Sequence, residues 1–286
     1  MGVFETKISY NNQTAILLIV VADVLNQPPI LGRNWMEVIR LDWLSIFKVR
    51  CQGDQVGLSE ICDKHSVIFK DGLGTMTNHK AKLSVKRNAE PKFCRPRPVP
   101  DALKPAIDAK LDELIAQGIL VPVNHAEWAT PCVIVPKADN SVRICGDYKV
   151  TINQYLGVEK YPLPTPQDLF ATLAGGKYFT TLDLSQAYQQ MVVDEDSRKL
   201  LSINTHKGLF HYTRLPYRIA SAPSIFQNAM EQISQGLEGV ICYFDDILIS
   251  VIDEKQHLER LEAVLSRLET YGLRLKKSKC KFMVMA

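Results

Sequence analysis

The sequence predicts an α+β fold: helices packed on one face of a small antiparallel sheet, preceded by a small all-β unit. Three observations predict it. From residue 101 onward, segments with helical apolar spacing alternate with short β-forming runs. Several of those runs come in pairs joined by polar turns, as antiparallel hairpins require. Apolar residues make up 46% of the 286 and charged residues 23%, an ordinary balance for a folded chain with a buried core.

The elements follow in order. Residues 1–48 read as short strands and then a turn or helix, closing on "PPILGRNWMEVIRLDW". The apolar run from Ala15 to Ala22 is too short to span a bilayer and lacks a basic leader, so it reads as a buried strand. Residues 49–100 read as a linker, basic and Pro-rich towards its end, with Pro91, Pro96, Pro98 and Pro100. A helix follows, capped by Asp101, with Leu103, Ile107, Leu111, Leu114 and Ile115 on one face and Gly118 at its exit. "TPCVIVPKADNSVRICGDY" reads as a hairpin around a polar turn at 138–141. "YFTTLDLSQAYQQ" reads as a strand passing into a helix near Asp183. "SAPSIFQNAMEQISQG" is a helix capped by Ser221, with Phe226, Ala229, Met230 and Ile233 inward. A second hairpin spans "VICYFDDILIS", and Asp253 then caps a helix with Leu258, Leu261, Leu265 and Leu268 inward, ended by Gly272.

Charge and cysteine usage narrow the class. The net charge of +3 does not by itself call for nucleic acid. Its distribution says more: from His79 to Pro98 there are seven Lys/Arg against Glu90, and from Tyr271 to Ala286 five and no acid. Such runs are commonly solvated faces, but two of them flanking a cluster of acids suit phosphates. Seven cysteines without a C-x-x-C pair read as reduced thiols of an intracellular protein, cytoplasmic or nuclear, with no membrane partner.

The second hairpin poses the chemical question. Asp245 and Asp246 stand side by side between β-forming apolar residues. A two-residue turn prefers Asn-Gly or Asp-Gly because φ must be positive, so the aspartates are expected to bear the unfavourable turn geometry. Clustered acids become tolerable when a cation neutralises them. Mg²⁺ suits them, with Mn²⁺ as the alternative. Asp183 closes another β run, and three acids at two strand ends can hold two ions ~3.5–4 Å apart for phosphoryl transfer. The plainer alternative is a pair of solvent-facing turn acids.

"YFDD" together with "TTLDLSQAY" resembles the catalytic signature of reverse transcriptases. "GILVPVNHAEWATPCVIVPKADNSVRICGDYKVTINQ", "YPLPTPQDLFATLAGGKYFTTLDL", "LPYRIASAPSIFQNAM" and "GLRLKKSKCKF" resemble, in order, the fingers and palm blocks of gypsy-class long-terminal-repeat retrotransposon Pol polyproteins. The resemblance implies an RNA-directed DNA polymerase, with residues 101–286 as fingers and palm and Asp183, Asp245 and Asp246 as metal ligands. It implies that Tyr188 lies under the sugar and excludes a 2′-hydroxyl; the alternative is a core tyrosine. Lys137 and Arg143 resemble residues that hold the incoming triphosphate, Arg as a fork and Lys as a point charge. Phe226 and Gln227 resemble the helix that backs the nucleotide, although Phe226 suits plain core equally well. Lys279 resembles the basic residue near the leaving group, with Lys276 and Lys277 as rivals.

The implied partners are an RNA or DNA template with its primer and deoxynucleoside triphosphates, with a second copy or the rest of a Pol polyprotein as protein partner. A virus-like particle in the cytoplasm is one implied setting. "ILGRNWMEVIRLDW" resembles the closing segment of a retropepsin, but no Asp-Thr/Ser-Gly loop occurs, so peptide cleavage is excluded.

Two positions depart from the family pattern. Arg218 stands where glycine is usual, and Leu201 where threonine is. In the family's order the primer grip, thumb, RNase H and integrase come later, so the expectation is a palm cut short before them. The competing reading is therefore a non-catalytic nucleic-acid-binding remnant, held to phosphates by the basic runs.

Overall fold

The computed structural model describes residues 2–10, 13–21, 55–137, 141–157 and 173–285, with backbone alone for the first two strands. The chain divides into two compact units, Met1–Arg50 and Cys51–Ala286.

In the first unit, β1 (Gly2–Tyr10) pairs antiparallel with β2 (Gln13–Val21), Gly2 opposite Val21 and Tyr10 opposite Gln13. The strand expected at 15–22 falls on β2 as far as Val21. The retropepsin-like segment at 30–43 lies outside the described residues.

The second unit opens with α1 (Gln55–Lys64) and a 3₁₀ turn at Ser66–Phe69, and continues through β3 (Lys80–Ala81). Residues 55–83 are not a linker. Ile68, Met76, Ala81 and Leu83 are buried in the same core as the later helices, because apolar side chains spaced through a polar stretch still seek burial. The basic, Pro-rich segment that follows is a strap laid on the unit. Lys86 N donates to Tyr155 O (2.9 Å), Cys94 N to Ala129 O (2.9 Å), and Ala129 N to Lys92 O (3.0 Å). Proline removes donors only where it stands, so the intervening N–H groups still pair.

α2 (Lys104–Ala116) buries Ile107, Leu111 and Leu114, as its spacing predicts. Asp101 does not cap it. It opens a 3₁₀ turn, Asp101–Leu103, and Pro105 takes an early position that needs no N–H. Gly118 leaves the helix at φ 66°, open to glycine without strain. The first sheet of this unit has five strands: β4 (Leu120–Val123), β5 (Thr130–Pro136), β6 (Val142–Gly146) and, further on, β9 (Ser202–Thr205) and β10 (Gly208–Tyr212). Their spatial order is β4-β10-β9-β5-β6. The predicted hairpin is β5–β6, with Pro136 opposite Val142.

β7 (Tyr178–Asp183) belongs to the second sheet. The chain beyond it does not enter an α-helix. It turns at Gln186 (φ 50°) into one 3₁₀ turn, Ala187–Gln190, then reaches β8 (Val192–Val193), paired with β3, and the single turn α3 (Glu195–Arg198). α4 (Ala222–Ser234), β11 (Val240–Tyr243), β12 (Asp246–Val251), α5 (Glu254–Thr270) and β13 (Lys281–Met285) complete the unit. The four-stranded antiparallel sheet runs β11-β12-β7-β13. α4 and α5 pack on it, burying Phe226, Met230 and Ile233 from one and Leu261, Leu265 and Leu268 from the other. This is the predicted layering.

Asp253 caps α5, accepting from Gln256 N at 2.9 Å, whereas Ser221 makes no capping bond to α4. The six described cysteines are free thiols. Among the described residues no helix is long and apolar enough to cross a membrane.

Candidate functional site

Register assembles the site. β12 pairs with β7 so that Asp246 stands directly opposite Asp183, both at strand ends. Directly opposed residues bring Cβ atoms to about 4.5–5.5 Å. Asp245 precedes Asp246 in the turn, and its carbonyl accepts from Leu184 N at 3.0 Å, which ties the turn to the residue after Asp183. Asp245 and Asp246 are exposed. The apolar neighbours that made them look buried lie along the strands, with Ile247 and Ile249 in the core, while the acids project from the rim.

The turn bears its strain at Phe244, at φ 53°, and not at an aspartate. A bulky residue there is uncommon, so something must hold it. Gln227 does. Its amide oxygen accepts from Phe244 N (3.1 Å) and its nitrogen donates to Cys242 O (2.8 Å). Gln227 is fully buried on α4 and also reaches Glu231 at 2.9 Å. Gln227, on the helix that the resemblance sets behind the nucleotide, thus positions the acid-bearing turn.

The acids feel one another. Burial, then Asp245 and Asp183, push the Asp246 carboxyl up from its ordinary value, against the pull of Lys279. Lys279 lies 3.2 Å from Asp183 Oδ2, closer to the acids than its rivals Lys276 and Lys277 are shown to be. Lys276 contributes backbone, its N donating to Asp183 O at 2.9 Å.

The fit to a divalent ion has two sides. Among the described residues, no three His, Cys, Asp or Glu side chains are close enough together to hold one ion. An opposed pair of rim carboxylates still suits Mg²⁺, which takes one or two carboxylates and completes its shell with phosphate oxygens.

An aromatic chain leads away from the acids. Tyr188 meets Phe226 edge-on at 5.1 Å and Tyr217 at 5.5 Å, and the Arg143 guanidinium lies 5.7 Å from the Tyr217 ring centre. Burial, then Asp245 and Tyr217, push the Tyr188 phenol up to about 12. It stays a neutral donor at ordinary pH. Phe226 is fully buried behind Tyr188, the core alternative, and can act only through it.

Lys137 and Arg143 share a cleft of about 140 Å³ with Lys110, Gln186, Gln189 and Tyr217. Arg143 lines it from β6 and Lys137 from just past the end of β5. Arg97, from the basic run, is not free: it forms an ion pair with Asp147.

Sequence reasoning missed Tyr217 and Gln190. Tyr217 stands next to the departing Arg218 in "LPYRIASAP", which was a usable signal. Gln190 is fully buried, donates to Ser185 O (2.7 Å) and Arg274 O (2.9 Å), and accepts from Arg274 N (2.7 Å). Nothing local marks a glutamine as such a clamp.

The family model for reverse transcriptase (RNA-dependent DNA polymerase) matches residues 135–285. The chain belongs to the reverse transcriptase family. An uncharacterized protein of Caenorhabditis elegans is 40% identical over 217 residues, covering 75% of this chain and 17% of that protein. The retrovirus-related Pol polyprotein from transposon 412 of Drosophila melanogaster is 30% identical over 238 residues, covering 79% of this chain and 19% of its own. The chain thus spans less than a fifth of either relative, and it is a reverse transcriptase domain of retrotransposon Pol type.

The foamy virus protease–reverse transcriptase has the same fold, with a TM-score of 0.75 at 21% identity over 98% of this chain and 40% of that one. That enzyme is also known in complex with an RNA/DNA hybrid, and this form matches at 0.74 and 20%, covering the same shares of the two chains. The α+β expectation for fingers and palm stands on this fold. Reverse transcriptases as a family use divalent metal ions.

Proposed function

We propose that this reverse transcriptase domain carries out RNA-directed DNA synthesis, adding deoxynucleotides to a primer 3′-hydroxyl. The observation that carries the proposal is the register of β7 against β12, which sets Asp183 opposite Asp246 with Asp245 in the adjoining turn. Bound divalent ions, two in the full reading, would lower the pKa of the primer hydroxyl and stabilise the leaving oxygens.

The chain's own residues supply the rest. Asp183, Asp245 and Asp246 hold the ions. Arg143 and Lys137 grip the triphosphate from the β5–β6 hairpin, and Tyr188 underlies the sugar, propped by Phe226. Lys279 supplies positive charge beside Asp183. The basic strap at 80–97 and the run at 274–281 offer exposed lysines to a primer–template duplex, whose affinity should fall steeply with salt.

One observation favours the binding-only alternative. Arg218, where the family resemblance sets glycine, occupies a left-handed position at φ 71°, next in sequence to Tyr217, which lines the cleft. Primer extension on an RNA template separates the two readings. The proposal expects extension that needs Mg²⁺ and deoxynucleotides and is lost in Asp183→Asn while duplex binding persists. Salt-sensitive binding with no extension under any of these conditions would establish the alternative.

A further inference from the structure

Pairing continues past the end of β7. Lys276 N donates to Asp183 O (2.9 Å), Leu184 pairs antiparallel with Leu275, and Ser185 N donates to Arg274 O (2.9 Å). The stretch that starts at Arg274 leads on to Lys279, whose ammonium lies beside the Asp183 carboxylate. The register of these few rungs therefore decides how the acid meets its basic neighbour.

The next rung is a side chain. Gln190 is fully buried, and its nitrogen donates to Ser185 O (2.7 Å) and Arg274 O (2.9 Å) while its oxygen accepts from Arg274 N (2.7 Å). Gln190 also ends the 3₁₀ turn, Ala187–Gln190, that carries Tyr188. One amide thus joins the acid-bearing strand end, the stretch before Lys279 and the aromatic turn.

The main chain of Gln190 is held from a third side, by residues that lie before the stretch matched by the family model. Met76 N donates to Gln190 O (2.8 Å), Thr75 N to Gly272 O (3.0 Å) and Thr77 N to Tyr271 O (3.0 Å). The Arg214 guanidinium donates to Gln190 O (3.3 Å), Gly74 O (3.4 Å) and Thr75 Oγ1 (2.9 Å). Gly74 comes so close that a Cβ there would overlap Gln190 Oε1 and stand 2.8 Å from Gly272 O, so only glycine admits the contact. A buried amide whose donors and acceptor all meet backbone is costly to leave half satisfied, which confines it to this one arrangement.

We propose that Gln190, locked against Gly74, is a positioning residue for nucleotide addition. It fixes the register of 183–185 against 274–276, and with it the placement of Asp183, Lys279 and Tyr188. Residues 74–77 thereby become part of the scaffold of the site. The assignment deepens the polymerase reading and rests on it for its chemistry.

Gln190→Met removes the three side-chain bonds at similar length, and Gly74→Ala drives Gln190 from its place. Hydrogen exchange of the full chain is read amide by amide. In both variants the Ser185 and Lys276 amides should exchange about tenfold faster or more, with the amides of β12 changed by no more than about twofold. Single-nucleotide addition at saturating nucleotide should slow about tenfold or more, with duplex affinity kept within about twofold and more Mg²⁺ needed for half the full rate. Should either variant fail to fold, Gln190→Glu, which keeps the acceptor for Arg274 N and loses the donor, carries the same expectations. An unaltered addition rate beside an active parent chain would overturn the proposal. So would unchanged exchange at Ser185 and Lys276, or an equal rise across all strands, which marks a plain loss of stability. A parent chain that never adds a nucleotide loses the polymerase reading, and the exchange pattern alone then decides the lock.

Discussion

Gln227 holds Phe244 from both sides, its oxygen on the Phe244 N–H at 3.1 Å and its nitrogen on the carbonyl of Cys242, two residues earlier, at 2.8 Å. A helix side chain thereby fixes the left-handed turn that presents Asp245 and Asp246. Replacing it with an apolar residue of similar length leaves a buried N–H and a buried carbonyl without partners. Gln227→Met should cost about 1–3 kcal/mol in chemical denaturation. It should also lower the rate of nucleotide addition more than it lowers duplex affinity. An unchanged stability would mean that the turn holds itself.

Arg218 sits at φ 71°, a conformation that disfavours any side chain. Asn153 pins the loop, donating to Arg218 O at 2.8 Å and accepting from Ala220 N at 3.0 Å. Arg218→Gly should therefore stabilise the domain by roughly 1 kcal/mol, since glycine adopts this φ freely. Asn153→Ala should destabilise it by a similar amount. Thermal denaturation of both variants checks the pair; destabilisation by glycine would mean that the arginine side chain makes a compensating contact.

His257 is buried on α5, its Nε2 2.7 Å from Thr180 Oγ1 on β7. Burial, then the nearby Arg260, lower its pKa to about 4. An unfolded chain binds this proton at the ordinary value of 6.5, so between the two values the unfolded state takes up more protons. Stability should fall as pH drops through that window. His257→Gln, which keeps a partner for Thr180, should lose that part of the slope. An identical pH dependence in both proteins would assign the slope elsewhere.

Much of this architecture was legible in the sequence. The inward faces of α2, α4 and α5 follow from apolar spacing, and the β11–β12 hairpin from its paired β runs. The rim acids were legible as chemistry, because paired aspartates have no reason to stand in a β run. Their setting was not. Whether Asp245 is buried or exposed depends on where the strand ends, and strand ends are fixed by pairing with β7, some sixty residues away. Residues 55–83 read as linker because their few apolar side chains have no local periodicity; only the core contributed by α5 and the 272–275 stretch gives Ile68 and Met76 a place to go. Buried glutamines such as Gln190 and Gln227 carry no local mark, since a polar side chain is buried only when distant backbone satisfies it.

Single-nucleotide addition to a primer on an RNA template tests the central claim most directly. It compares the chain, Arg218→Gly, and Arg218→Gly/Asp245→Asn, each with and without Mg²⁺. The strand-end acids predict addition that requires Mg²⁺, rises in Arg218→Gly and drops by roughly 100-fold or more once Asp245 is neutralised, with duplex binding retained. Addition that survives Asp245→Asn, or no addition even after Arg218→Gly, would contradict it.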